Sequence, residues 1–114
     1  MNGAIALKQY QQTRVHGGVM DASPHRLIQM LLDGAMSRIL SAKASLKQKN
    51  IAKKGEQIGN AISIIEGLRA SLDFKVGGEL SENLDALYEY IAGILLQANI
   101  QDDVALLDEA GKLL

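Results

Sequence analysis

Residues Pro24 to Lys49 read PHRLIQMLLDGAMSRILSAKASLKQK, and the fold is decided by the spacing of their apolar positions. Leu27, Ile28, Leu31, Leu32, Ala35, Ile39, Ala42 and Leu46 recur at intervals of three and four residues. That spacing draws one stripe along a helix of 3.6 residues per turn, so a long amphipathic helix is predicted. Its start is marked by Ser23, whose hydroxyl can accept from a free backbone N–H of the first turn. Pro24 fits the first helical position, where its missing N–H costs nothing. A capping box is absent, because Arg26 stands three residues after Ser23.

The same period continues along the chain. Ile51, Ile58, Ile62, Ile65, Leu68 and Leu72 predict a second helix over 51–72, with Asn50 ending the first. Asp73 to Gly78 breaks the pattern and reads as a loop. Leu80, Leu84, Leu87, Tyr88, Ile91, Leu95 and Ala98 predict a third helix over 79–98, followed by a turn at 99–102. Asp102 or Asp103 can cap a fourth helix carrying Val104, Leu107, Ala110 and Leu114. Long helices joined by short links must lie antiparallel, which predicts an all-α, antiparallel four-helix bundle over 21–114. The fourth helix stops at GKLL after about three turns, so a natural C-terminal turn or two is expected to be missing. Residues 1–20 are less regular: a helical pattern from Ile5 to Tyr10 gives way to QQTR and Gly17-Gly18. They are expected to form an arm on a flexible joint.

Composition agrees with this class. Of 114 residues, 47% are apolar but only 4% aromatic, with a single proline. Helices tolerate proline poorly and favour Ala and Leu. No cysteine is present, which excludes disulfides, thiolate zinc sites and a cysteine nucleophile. Twelve basic against thirteen acidic side chains leave a net charge of -1, without the electrostatic footprint of a nucleic-acid binder. Lys43, Lys47, Lys49, Lys53 and Lys54 surround a helix–helix turn and are expected on a solvated face. No apolar run is long enough to span a membrane, and MNGAIALKQY lacks the pattern of a signal peptide, so a cytoplasmic protein is expected.

Few positions can carry chemistry. Ser23 and His25 are two apart at a helix start, so their side chains diverge, whereas nucleophilic catalysis needs serine and base within hydrogen-bond reach. No glutamate has a histidine three residues on, as a di-iron helix pair requires. Neither glycine pair, Gly17-Gly18 or Gly77-Gly78, precedes a Lys-Ser/Thr as a phosphate loop does. No catalytic residue, metal or cofactor is therefore expected.

Surface features remain. Met36 and Leu40, four apart on the first helix, lie off its main stripe, and Ile64 and Leu68 widen the arc of the second. Tyr90 and Leu96 point away from the Leu84–Tyr88–Ile91–Leu95 side of the third. A bundle helix touching two neighbours accounts for any one of these residues; together they suggest grooves for another chain. Glycines inside predicted helices, Gly55 and Gly59 above all, would let two backbones approach closely.

Four elements in order complete the reading: Tyr10, Ser23-Pro24-His25-Arg26-Leu27-Ile28, GGELSENLDALYEYI from Gly77 to Ile91, and Leu95-x-x-Ala98-Asn99. Their order and spacing resemble the flagellar secretion chaperones, the FliS family, over nearly the whole chain. The resemblance implies a cytoplasmic, non-catalytic bundle that binds the disordered C-terminal segment of flagellin in apolar grooves. Premature polymerisation would thereby be prevented and the subunit delivered to the flagellar type III export gate. It also implies an N-terminal arm that covers part of the groove, matching Leu7 and Tyr10 here. The expected partner-binding residues are Leu7, Tyr10, Met36, Leu40, Ile64, Leu68, Tyr90 and Leu96. Two alternatives stand beside it: a helical adaptor or self-pairing bundle, and a histidine phosphotransfer domain using His25.

Overall fold

The computed structural model describes residues 23–114. Four substantial helices and one short turn of helix follow in chain order: α1 (Pro24–Lys47), α2 (Ile51–Ala70), α3 (Phe74–Gly77), α4 (Glu79–Gln101) and α5 (Val104–Leu113). Among the described residues there is no strand. α1 packs on α2, α2 on α4, α4 on α5, and α5 closes the ring against α1. Lys54, near the start of α2, meets Asn99 near the end of α4. Arg69, near the end of α2, meets Asp85 near the start of α4. Those two helices therefore run antiparallel, as the all-α bundle reading requires.

The helix ends follow from their sequences. The Ser23 hydroxyl accepts from the Arg26 N–H at 3.1 Å, with Pro24 in the first turn. α1 ends where Lys49 takes a positive φ of 59° and the Asn50 N–H returns to the Ser45 carbonyl at 2.8 Å. Asn50 then caps α2 by accepting from the Lys53 N–H. Two glycine-bearing helix interiors are free of close contact: a Cβ at Gly59 or Gly93 would meet nothing within 4 Å. The close backbone approach expected at Gly55 and Gly59 is thus absent, the nearest group to a Gly55 Cβ being Asn99 Oδ1 at an ordinary 3.7 Å. Gly59→Ala and Gly93→Ala should each stabilise the bundle by about 0.5–1 kcal/mol, read as a higher urea midpoint, because alanine loses less backbone entropy in a helix.

The stretch from Asp73 to Gly78, expected as a loop, contains the single helical turn α3. Asp73 caps it by accepting from the Lys75 and Val76 N–H groups. The Ser81 hydroxyl donates back to the Asp73 carbonyl at 2.9 Å. A Cβ on Gly77 would lie 1.8 Å from Ser81 Oγ, and Gly78 has φ +52°, so both glycines are required by the corner they form. α4 runs three residues past its expected end, to Gln101, and Asp103 caps α5 by accepting from the Ala105 N–H.

The core is one hydrophobic cluster, aliphatic but for Tyr88, drawn from α1, α2, α4 and α5. Leu31, Ile39, Ile58, Ile65, Leu68, Ile91, Leu95 and Leu107 are its largest fully buried side chains. Ile51 and Leu80, in phase with their stripes, are nevertheless exposed because each lies in a first turn beyond the end of the core. Lys54 departs from its expected solvated face: it is only 4% exposed. Its ammonium donates to the Asn99 carbonyl at 2.9 Å and to the Asp102 carboxylate, tying the start of α2 to the α4–α5 turn.

Candidate partner-binding surface

α5 has ten residues, against 24, 20 and 23 in α1, α2 and α4. At 1.5 Å per residue it covers about 15 Å of neighbours roughly 30–36 Å long. It lies along the C-terminal half of α1, where Lys43 pairs with Asp108 and a Cβ on Gly111 would lie 3.6 Å from the Met36 sulfur. Leu27, Ile28 and Leu32 of α1, and Leu84 and Leu87 of α4, are only partly buried.

A groove of about 220 Å³ opens between α1 and α5. Met36, Ile39 and Leu40 line one wall, Leu107 and Gly111 the other. Its interior is apolar, and Lys43, Asp108 and Lys112 stand at the rim. Leu40, at its edge, is 56% exposed. The hydrogen bond from Lys43, with that ammonium's charge, holds the Asp108 carboxyl below the usual carboxylate range. The rim is thus charged while the floor is apolar, an arrangement suited to an apolar side chain from another segment.

The eight residues singled out from the sequence have separate fates. Leu7 and Tyr10 lie outside the described residues. Met36 and Leu40 are brought together in the α1–α5 groove. Ile64 and Leu68, expected on an arc beyond the α2 seam, lie in the core at 7% and 1% exposure. The reason is geometric: α2 sits between α1 and α4, so its buried arc is wide. Tyr90 and Leu96 are both exposed on α4, but six residues place them about 120° apart, on different flanks.

Ile100 escaped the sequence reading because its segment was assigned to a turn. With α4 extended to Gln101, it lies four residues after Leu96 on the same face and is 67% exposed. The available signal was the unbroken apolar period through residue 100. Phe74, Val76 and Leu80 form a further exposed apolar group at the α3 corner. His25 is exposed. Among the described residues, no three His, Asp or Glu side chains gather as a metal site would require, and no helix is long and apolar enough to cross a membrane.

These features define a helical-bundle protein with an apolar groove and exposed apolar side chains on its surface. The family model described as flagellar protein FliS matches residues 6–114 of the chain. The chain is 50% identical over 109 residues to flagellar secretion chaperone FliSB of Pseudomonas aeruginosa, covering 96% of this chain and 86% of that protein. It is 45% identical over 115 residues to flagellar secretion chaperone FliS of Salmonella typhimurium, covering all of this chain and 85% of the relative. The FliS of Vibrio cholerae is 39% identical over 104 residues, 91% of this chain and 76% of that one. The chain belongs to the FliS family of flagellar secretion chaperones.

Proposed function

We propose that this chain is a cytoplasmic export chaperone that holds the C-terminal segment of flagellin in apolar grooves and delivers it to the flagellar type III export gate. The observation that carries this reading is the α1–α5 groove, with exposed Leu40 beside Met36. A disordered segment that folds on binding must recover its ordering entropy from buried area. Grooves running along a stable bundle offer that area through helix-in-groove packing. Leu96 with Ile100, and Tyr90 on the opposite flank, are further contacts for a segment that wraps the bundle. Leu7 and Tyr10, on the N-terminal arm, cover part of the groove until cargo displaces them. An occupied groove lowers apparent affinity by the fraction of open molecules.

The role needs no catalytic residue, metal or cofactor, and the curated relatives are named as chaperones. Leu40→Ser tests the reading. Its side chain is mostly exposed, so the fold should be retained with an unchanged circular dichroism spectrum. Binding to the C-terminal segment of the host's flagellin should weaken about tenfold or more, since burying a leucine contributes roughly 1.5–3 kcal/mol. Undiminished binding would remove this groove from the interface. Sedimentation of the chain alone separates the alternative, a bundle that pairs with itself and ignores flagellin.

A further inference from the structure

The seam between α1 and α2 has a character unlike the rest of the surface. A groove of about 400 Å³ lies there, lined by polar side chains rather than aliphatic ones. Gly34, Ser37 and Ser41 follow one face of α1 at three- and four-residue spacing, so no bulky side chain fills the space. Arg38 and Lys53 face it from the two helices. Arg38 Nη1 donates to the side-chain Oε1 of Gln57 at 3.2 Å. Gln57 is itself nine-tenths buried, so the guanidinium is held against a fixed point of α2. The remaining guanidinium N–H groups of the exposed Arg38 can donate to a ligand in the groove. The donor set is therefore rich, pre-positioned and open to one side.

We propose that this groove binds a carboxylate side chain of a protein segment docked along the α1–α2 seam, with Arg38 and Lys53 as its cationic partners. Asp33 lines the same groove, where it accepts from Gln29 of its own helix. Two cations against this one carboxylate leave a single net positive charge, which matches one Asp or Glu and disfavours a doubly charged phosphate. Arg38 offers the planar pair of donors that a carboxylate accepts. The groove is open to solvent and its cations are exposed, so a free small anion would gain little there; a side chain anchored by neighbouring contacts loses less entropy on docking. The proposal rests on the reading of this chain as a holder of an extended protein segment, and adds to it a charged anchor apart from the apolar grooves.

The test uses the full chain, the double variant Arg38→Gln with Lys53→Gln, and the flagellin C-terminal segment as probe. Both side chains are exposed, so circular dichroism and the urea midpoint should be nearly unchanged. Binding at low salt should weaken about tenfold, and the wild-type advantage should shrink as salt rises. A probe with its Asp and Glu replaced by Asn and Gln should bind both proteins equally. Inorganic phosphate at 10-fold excess over the probe should not restore that difference or displace the segment. Equal binding of the acidic probe to both proteins would overturn the proposal while leaving the groove reading intact. Displacement by phosphate would reassign the site to a free oxyanion and overturn it too. Failure of the wild-type chain to bind the segment at all would overturn the parent reading and this proposal with it.

Discussion

Leu68→Ser is expected to unfold most of the molecule or bring it close to unfolding. Leu68 is 1% exposed and lies in the cluster that joins α2 to the rest of the core. Shortening a buried leucine costs about 2–5 kcal/mol through lost burial and the cavity left behind. A serine hydroxyl without a sure partner adds roughly 1–3 kcal/mol. Against a total stability of about 5–15 kcal/mol for a domain, the sum leaves little. Urea unfolding followed by circular dichroism checks it, and Ile64→Ser should behave alike. A Leu68→Ser variant with the wild-type midpoint but weakened cargo binding would return Leu68 to the surface of the bundle.

Lys54→Ala should have the next largest effect, about 2 kcal/mol. The Lys54 stem is buried, and its ammonium serves both the Asn99 carbonyl and the Asp102 carboxylate. Truncation removes a well-packed chain and leaves both acceptors without that donor. A fully buried ion pair broken in this way costs about 3–5 kcal/mol, but Asp102 is half exposed and water can replace part of the loss. Because Asp102 is the left-handed residue that turns α4 into α5, the loss should be felt most in α5. Hydrogen exchange should therefore rise more in α5 than in α1. Lys54→Met keeps the stem and should recover part of the midpoint but not the α5 protection. Uniform exchange across all helices would argue that the bond pair does not hold the turn.

The bundle itself was legible because each long helix repeats one period without interruption, and because Ser23 and Asp103 signal their caps; Asn50, read as the end of the first helix, also caps the second. What periodicity cannot show is which neighbour an apolar residue meets. Leu40 and Leu68 look equivalent in sequence, yet one faces a groove and the other the core. The difference arises from position in the ring: α2 lies between α1 and α4, whereas Leu40 stands at the edge of the α1–α5 contact. Lys54 was misplaced for the same kind of reason, since its acceptors lie 45 and 48 residues away. Ile100 was hidden by a helix end drawn three residues too early. At the α3 corner the two glycines were read as loop formers, but Gly77 is there because Ser81 occupies the space of its Cβ. The polar seam around Arg38 has no apolar period to mark it, being assembled from small and charged residues of two helices.

The central claim is that a flexible segment becomes ordered in grooves of this bundle. Isothermal titration of the full chain with the C-terminal segment of the host's flagellin, across several temperatures, tests it most directly. The account predicts saturable binding with a negative heat-capacity change from apolar burial, an unfavourable entropy of ordering, and a parallel gain in helical circular dichroism beyond the sum of the two components. Absence of heat and of added helicity at concentrations where the chain remains a folded monomer would contradict it.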